Sequence, residues 1–314
     1  MVFDLKLPAL SWLLGKGHTH MAPAGGSQQW LAGIVGLPHL PAATLRLSAQ
    51  RMSLEGEWLC LDPINLRTER TQLIVEDPAL LQLTADEADT LQQDLAPLLA
   101  ELGQLHLGSP HEWHLQLKQD SPIRTTPLSE VIGLNGDRLM PDTDNIRVWR
   151  RVLTEVQMTL HEHPVNVARS TRGLPAVNSL WPWGEGKLDT STAARWQLLQ
   201  ADGSLWQGLA HQLDCAWQAL PERFTDCTGK TLVVHKALAA ATQQHDAMRW
   251  RAALLALEEQ WFAPLMQALQ TGQLQAVVLH GHGEEHALTC TIKRSDRLRF
   301  WRKPAALTLL GLPA

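Results

Sequence analysis

The chain has 314 residues, of which 45% are apolar and 19% charged, with a net charge of −5. That is enough for one large or two modest domains with a substantial core. The acidic balance gives no electrostatic reason to expect nucleic acid or an anionic membrane surface as a partner. No run of eighteen apolar residues and no basic-then-apolar leader occurs, so a soluble, cytoplasmic protein is expected. Four scattered cysteines without a C-x-x-C pair fit reduced thiols rather than a disulfide frame or zinc site. Thirteen tryptophans stand against four phenylalanines and no tyrosine.

In chain order, Pro8 to Gly15 or Gly17 reads as a short helix around Trp12-Leu13-Leu14. Residues 21–41 are rich in glycine and proline and read as an irregular connection, and strand-like runs follow at Glu57–Pro63 and Gln72–Glu76. Thr84 and Glu87 have capping-box spacing and Gly103 has the place of a C-terminal glycine, which predicts a helix over 84–103 kinked at Pro97. Its apolar face is Ala88, Leu91, Leu95, Leu98, Leu99 and Leu102. Trp113, Leu115 and Leu117 alternate with His114, Gln116 and Lys118, the pattern of a strand in a half-buried sheet. A second helix is predicted from about Asp144 to His163, with Trp149, Val152, Leu153, Val156 and Leu160 on its buried face, stopped by Pro164.

The run Asn178-Ser179-Leu180-Trp181-Pro182-Trp183-Gly184-Glu185-Gly186 follows the apolar stretch Ala176–Leu180 and reads as a strand ending in a rigid aromatic loop. Ligands in α/β sheets gather at such strand ends, although a tryptophan plug closing the core explains the same composition. Beyond it, helical patterns cover 193–219 and a strand covers Thr231–His235. A long helix is predicted over 246–271, interrupted at Pro264 and stopped at Gly272, then a strand at Gln275–His280. Strand, helix and strand in that order predict a parallel βαβ unit, with Ala287–Lys293 and Arg297–Trp301 antiparallel at the end. The resulting expectation is an α/β protein with a mostly parallel sheet flanked by helices. Residues 1–50 and 141–314 would form the core and 51–140 a smaller inserted α+β region.

Three motifs bear on chemistry. Gly229-Lys230-Thr231 resembles the tail of a phosphate-binding loop, but it precedes a strand and lacks the earlier glycine. His280 and His282 lie two apart on a predicted strand, near His286 and Glu284, and could approach one metal; a polar turn is the alternative. His163, Asn166, Arg169 and Arg172 lead into the tryptophan run and are the side-chain types that hold a carboxylate or phosphate. With Asn178, Ser179, Trp181, Trp183, Gly184 and Gly186 they make up the candidate ligand-binding set. A pair of surface arginines bound to helix carbonyls or solvent is the competing explanation. No G-x-S-x-G elbow or acid/base carboxylate pair stands out.

From Asp144 to Gly186 the motifs Glu155-Val156-Gln157-Met158, His163-Pro164-Val165-Asn166, Arg169, Arg172-Gly173 and the tryptophan run resemble the bacterial RpfE-type regulatory family. That family is in turn similar to archaeal-type cofactor-independent phosphoglycerate mutases. The resemblance implies an alkaline-phosphatase-like α/β core with an inserted domain. Active members of the wider group use two divalent metals, Mn²⁺ or Zn²⁺, held by aspartates and histidines, and a serine that becomes phosphorylated. This chain has no early Asp-Gly and no Asp-His dipeptide. The expectation is therefore a non-catalytic, binding or regulatory protein without a resident metal, taking a small anionic metabolite or a protein partner. A metal-dependent phosphomutase or phosphohydrolase with a rearranged site is the first alternative, and a scaffold docking a partner through exposed tryptophans is the second.

Overall fold

The computed structural model describes residues 5–305 except 53, 71, 120–124, 137–146, 190, 192, 226–228, 245 and 284. Helices and strands follow in the order α1 (Pro8–Lys16), β1 (His18–Pro23), α2 (Ser27–Val35), α3 (Ala42–Ala49), β2 (Glu57–Ile64), β3 (Leu66–Glu69) and β4 (Gln72–Val75). Next are α4 (Ala85–Leu99), β5 (Gly103–Ser109), β6 (Glu112–Leu117), α5 (Leu128–Val131), α6 (Arg147–His161), α7 (Pro164–Thr171) and β7 (Ser179–Trp183). The last part contains β8 (Leu198–Gln200), α8 (Ser204–Gln212), β9 (Ala216–Gln218), β10 (Thr231–Val233), α9 (Ala237–Gln243), α10 (Ala247–Leu257), α11 (Ala263–Thr271), β11 (Ala276–His282) and β12 (His286–Lys293). Two compact units result, Met1–Trp30 with Ala219–Ala314, and Leu31–Gln218.

The second unit is built on a sheet of order β5-β6-β2-β7 whose pairings are all antiparallel. Because side chains alternate across a strand, β2 sends Leu59 and Leu61 to one face and Trp58, Cys60, Asp62 and Ile64 to the other. The first face packs with Trp113, Leu115 and Leu180 against Leu91, Leu95 and Leu99 of α4 and Val152, Val156 and Leu160 of α6. On the opposite face Trp58, Cys60, Ile64, Trp181 and Trp183 meet Ala42, Ala43 and Leu47 of α3. Helices therefore cover both sides, and His114, expected on a solvated face, is completely buried. Gly208 of α8 allows helix contact with α3, since a Cβ there would stand 1.7 Å from the Leu45 carbonyl oxygen. Within this sheet β2, from the region 51–140 expected as an insertion, pairs with β7.

In the first unit β1-β12-β11 form an antiparallel sheet. Leu288, Cys290 and Ile292 pack on Leu10, Leu13 and Leu14 of α1, together with Leu254 and Leu269. The buried carboxylate of Glu258 accepts hydrogen bonds from the Ala9 and Leu10 amides at 2.5 and 3.0 Å, meeting unpaired donors at the start of α1. The interruption expected at Pro264 is a π-helical turn, Glu258–Phe262, between α10 and α11, and Gly272 ends α11 at φ +88°.

The mostly parallel sheet is not found. Short hairpin connections join β5 to β6 and β11 to β12, and these dictate antiparallel pairing. The parallel pair in the second unit is β8 with β9, crossed over by α8. β11 pairs with β12 rather than closing the expected βαβ unit with the strand at Thr231. Other differences are local. Residues 27–35 form α2 inside the expected irregular connection, and Pro164 begins α7 where it was expected only to stop the preceding helix. Gly103 opens β5 instead of capping α4, because a Cβ there would stand 2.1 Å from the Gln116 carbonyl oxygen. Residues 294–298 form a 3₁₀ turn, not a strand. Asp144, Cys227 and Glu284 lie outside the described residues.

Candidate functional site

The tryptophans expected on a loop are in β7, and both are buried. The Trp181 indole N–H donates to the Thr126 carbonyl at 2.9 Å, and that of Trp183 donates to Asp62 Oδ2 at 2.8 Å. Gly184, at φ +70°, accepts a hydrogen bond from the Ala43 amide at 3.1 Å, and the Gly186 carbonyl accepts from Thr44 Oγ1 at 2.9 Å. The glycines thereby bring the chain against the start of α3, where a Cβ on Gly184 would lie 2.6 Å from that of Ala42.

The polar members of the candidate set hold neighbouring backbone in place. Asn166 donates to the carbonyls of Leu160 and Val177 and accepts from the Val177 amide. Asn178 pairs with both backbone groups of Leu66. Ser179 Oγ accepts from Gln157 at 3.0 Å, and His163 caps α7 through Val165 while its other ring nitrogen meets Asp94 at 2.9 Å. Arg169, fully buried, donates to the Pro175 and Leu81 carbonyls and to Glu87 Oε2. Arg172 donates to the other oxygen of Glu87. Burial pushes the Glu87 carboxyl up, but Arg172, the Thr84 amide and Arg169 more than offset it, and it lies below the ordinary range. Both arginines are thus bound to acceptors within the protein, Arg169 being buried rather than one of a pair of surface arginines on helix carbonyls.

Beneath the tryptophans lies a charged group that sequence reading missed. Asp62, 1% exposed on β2, receives Arg46 Nη1 on both oxygens at 3.0 and 2.8 Å. The Trp113 amide adds a bond at 3.1 Å and the Trp183 indole another at 2.8 Å. These contacts fill the acceptor sites of one carboxylate. Arg46 also stacks over the Trp183 ring, 4.6 Å from its centroid, and approaches Glu112 at 3.7 Å. Glu112 in turn accepts the Ser204 hydroxyl at 2.6 and 2.7 Å.

Burial pushes the Asp62 carboxyl up, with Arg46, Trp183 and the Trp113 amide opposing it. For Arg46 burial acts downward, and Asp62, Cys60 and Glu112 more than offset it. Burial also raises the Cys60 thiol, which keeps it protonated and a poor nucleophile. His106, His114, Cys60 and Trp183 form one row across the four strands. Burial, helped by Arg46 and His106, pushes the His114 imidazole down to about 3, and neither of its ring nitrogens has a hydrogen-bond partner. The one signal in the sequence was an aspartate within the apolar strand Trp58-Leu59-Cys60-Leu61-Asp62.

Each histidine of the candidate metal group has a polar neighbour within the protein. His280 Nδ1 is 3.1 Å from Thr289 Oγ1, His282 Nε2 is 2.9 Å from the Gly25 carbonyl, and both rings pack on Trp30. His286 stands beside Glu285 at 3.9 Å. Among the described residues no group of three His, Cys, Asp or Glu side chains is placed to hold a metal ion. An open depression of about 640 Å³ lies elsewhere, lined by Gln92, Gln104, Gln116 and Lys118 among others.

No family model matches the chain. Over 113 residues it is 25% identical to the 2,3-bisphosphoglycerate-independent phosphoglycerate mutase of Methanothrix thermoacetophila. That match covers 36% of this chain and 29% of the relative's own length. This chain is distantly similar to the cofactor-independent phosphoglycerate mutases. The PH0037 protein from Pyrococcus horikoshii matches in structure with a TM-score of 0.53 at 13% identity, over 92% of this chain and 80% of that one. This second likeness concerns the fold alone. The cofactor-independent phosphoglycerate mutase from Thermoplasma acidophilum aligns with a TM-score of 0.41 at 16% identity, over 91% of this chain and 82% of that one. Among the described residues no helix is long and apolar enough to cross a membrane.

Proposed function

We propose that the chain is a phosphoglycerate-mutase-like protein with a binding or regulatory role, a non-catalytic relative within the alkaline-phosphatase-like group and akin to the RpfE-type proteins. One observation carries this reading. The charged side chains around the tryptophan strand, Arg46, Asp62, Arg169 and Arg172, are bound to partners inside the protein and not aimed at a shared open crevice. Phosphoryl transfer needs cations and dipoles directed at the transferring group, and those cations here neutralise the protein's own carboxylates. The buried Cys60 thiol and neutral His114 are likewise held in unreactive states.

The test is turnover of phosphoglycerate and of a generic phosphate ester by tag-free protein, with Mn²⁺ or Zn²⁺ supplied. No turnover is expected, and no rise in melting temperature with phosphoglycerate. Metal-dependent turnover that survives purification to homogeneity would overturn the proposal and restore the phosphomutase alternative.

A further inference from the structure

The first unit contains a turn that the proposed role does not use. Leu298, Phe300 and Trp301 are 68%, 87% and 66% exposed, while most other large apolar side chains are buried or half-buried. The two aromatic rings support each other edge to face, with centroids 5.1 Å apart. Exposed apolar groups this close together mark an interaction site more often than chance exposure.

The turn is also firmly anchored. Lys16, on α1 and almost buried, donates from Nζ to the carbonyls of Arg299 at 2.6 Å and Arg302 at 2.7 Å, one on each side of the aromatic pair. Arg302 donates back to the Gly17 carbonyl at 2.5 Å, and the Ala305 amide donates to Ser11 at 2.9 Å. Gly15 allows this approach, since a Cβ there would lie 2.3 Å from the Lys303 carbonyl oxygen. Burying a lysine ammonium is costly unless it is well bonded, and here its bonds fix the backbone on both sides of Phe300-Trp301.

The charge around the turn has one sign. Between 293 and 303 the cations Lys293, Arg294, Arg297, Arg299, Arg302 and Lys303 face a single acid, Asp296. Asp296 is buried and paired with Arg299 at 3.0 Å. Lys293, Arg294, Arg297 and Lys303 are exposed. The stretch is thus strongly basic within a chain of net charge −5.

We propose that the turn Leu298–Trp301 is a docking element for an anionic lipid surface, its apolar tip entering the headgroup boundary while the surrounding cations meet the lipid phosphates. Tryptophan and phenylalanine favour that boundary, and peripheral proteins bind stably when apolar insertion and a basic patch act together. Nucleobases are a poorer fit. The perpendicular rings present no pair of parallel stacking faces, and Leu298 adds an aliphatic group with nothing to stack.

The test is flotation of the full chain with vesicles of phosphatidylcholine alone and with about 30 mol% phosphatidylglycerol, because each cation near an anionic surface contributes a comparable increment. Wild type should float with the anionic vesicles only. Phe300→Ser with Trp301→Ser, and separately Arg294→Glu with Lys303→Glu, should each lower partitioning by roughly tenfold or more. Both pairs are exposed, so an unchanged melting temperature will confirm that the fold is intact. Equal recovery with both vesicle types, or unimpaired flotation of either variant, would overturn the proposal. So would failure of the wild type to float with the anionic vesicles, and binding of a single-stranded oligonucleotide or an acidic protein that the same substitutions abolish would then assign the turn to that partner.

Discussion

Replacing His114 by leucine should remove a large part of the protein's acid sensitivity. His114 is completely buried, its ring nitrogens lack partners, and its folded-state value is about 3 against an ordinary 6.5. In the unfolded chain the imidazole takes up a proton once the pH falls below 6.5, while in the folded protein it remains neutral down to about pH 3. The unfolded state therefore binds more protons throughout that window, and stability declines as the pH falls, by about 1.4 kcal/mol per unit. Two units of acidification should cost roughly 2.5 kcal/mol through this one residue. Urea unfolding of wild type and His114→Leu at about pH 7.5 and about pH 4.5 measures the effect as a double difference. His106 and His111, also pushed down by burial, titrate in both proteins and largely cancel. At neutral pH the leucine variant should be at least as stable, because two unsatisfied polar atoms have been removed. Identical pH dependence in the two proteins would refute the buried, neutral state assigned to His114.

The other expected outcomes concern packing and charge. Asp62→Leu and Arg46→Met should each destabilise by about 3–5 kcal/mol, and the two together by clearly less than the sum of the single losses; additive costs by denaturant unfolding would contradict the closed pair. Arg169→Lys should lose about 2 kcal/mol or more, since one ammonium cannot reach Glu87 and the Leu81 and Pro175 carbonyls together, and a neutral result would make these contacts incidental. Gly208→Ala should cost at least about 2 kcal/mol by forcing α3 and α8 apart, read as a lowered melting temperature.

How far the sequence led depended on the range of the interaction. Several signals contained within one turn hold: the Thr84–Glu87 capping box is present, Gly17 follows α1, and Gly272 ends α11 in the left-handed conformation, while Gly103, expected as a helix cap, opens β5. Apolar periodicity located the buried sides of α4 and α6. Strand partners were not legible, because β2 acquires its neighbours β6 and β7 from distant parts of the chain. His114 shows the consequence. Alternation placed it correctly on the face opposite Trp113 and Leu115, but nothing in its own strand announced that α3 would cover that face.

The same limit applies to the candidate site. Arginine, asparagine and histidine beside a tryptophan strand are suitable for an anion, and the anion they meet is already in the protein. Glu87, 82 residues before Arg169 and 85 before Arg172, binds both arginines, and Asp62 does the same for Arg46. A motif read alone shows what charge its side chains can hold, not whether another segment supplies it. Charge averaged over the whole chain misleads in the opposite direction. The acidic total argued against an anionic surface, yet the six cations near Phe300 and Trp301 are gathered in one short segment. Association depends on the potential at the surface that makes contact, within about a Debye length, and not on the sum over residues much farther away. For this protein the informative quantity is accordingly the local pairing of each cation: Arg169 is closed off by an internal acid, whereas Arg294 and Lys303 are exposed within the same short segment as Phe300 and Trp301.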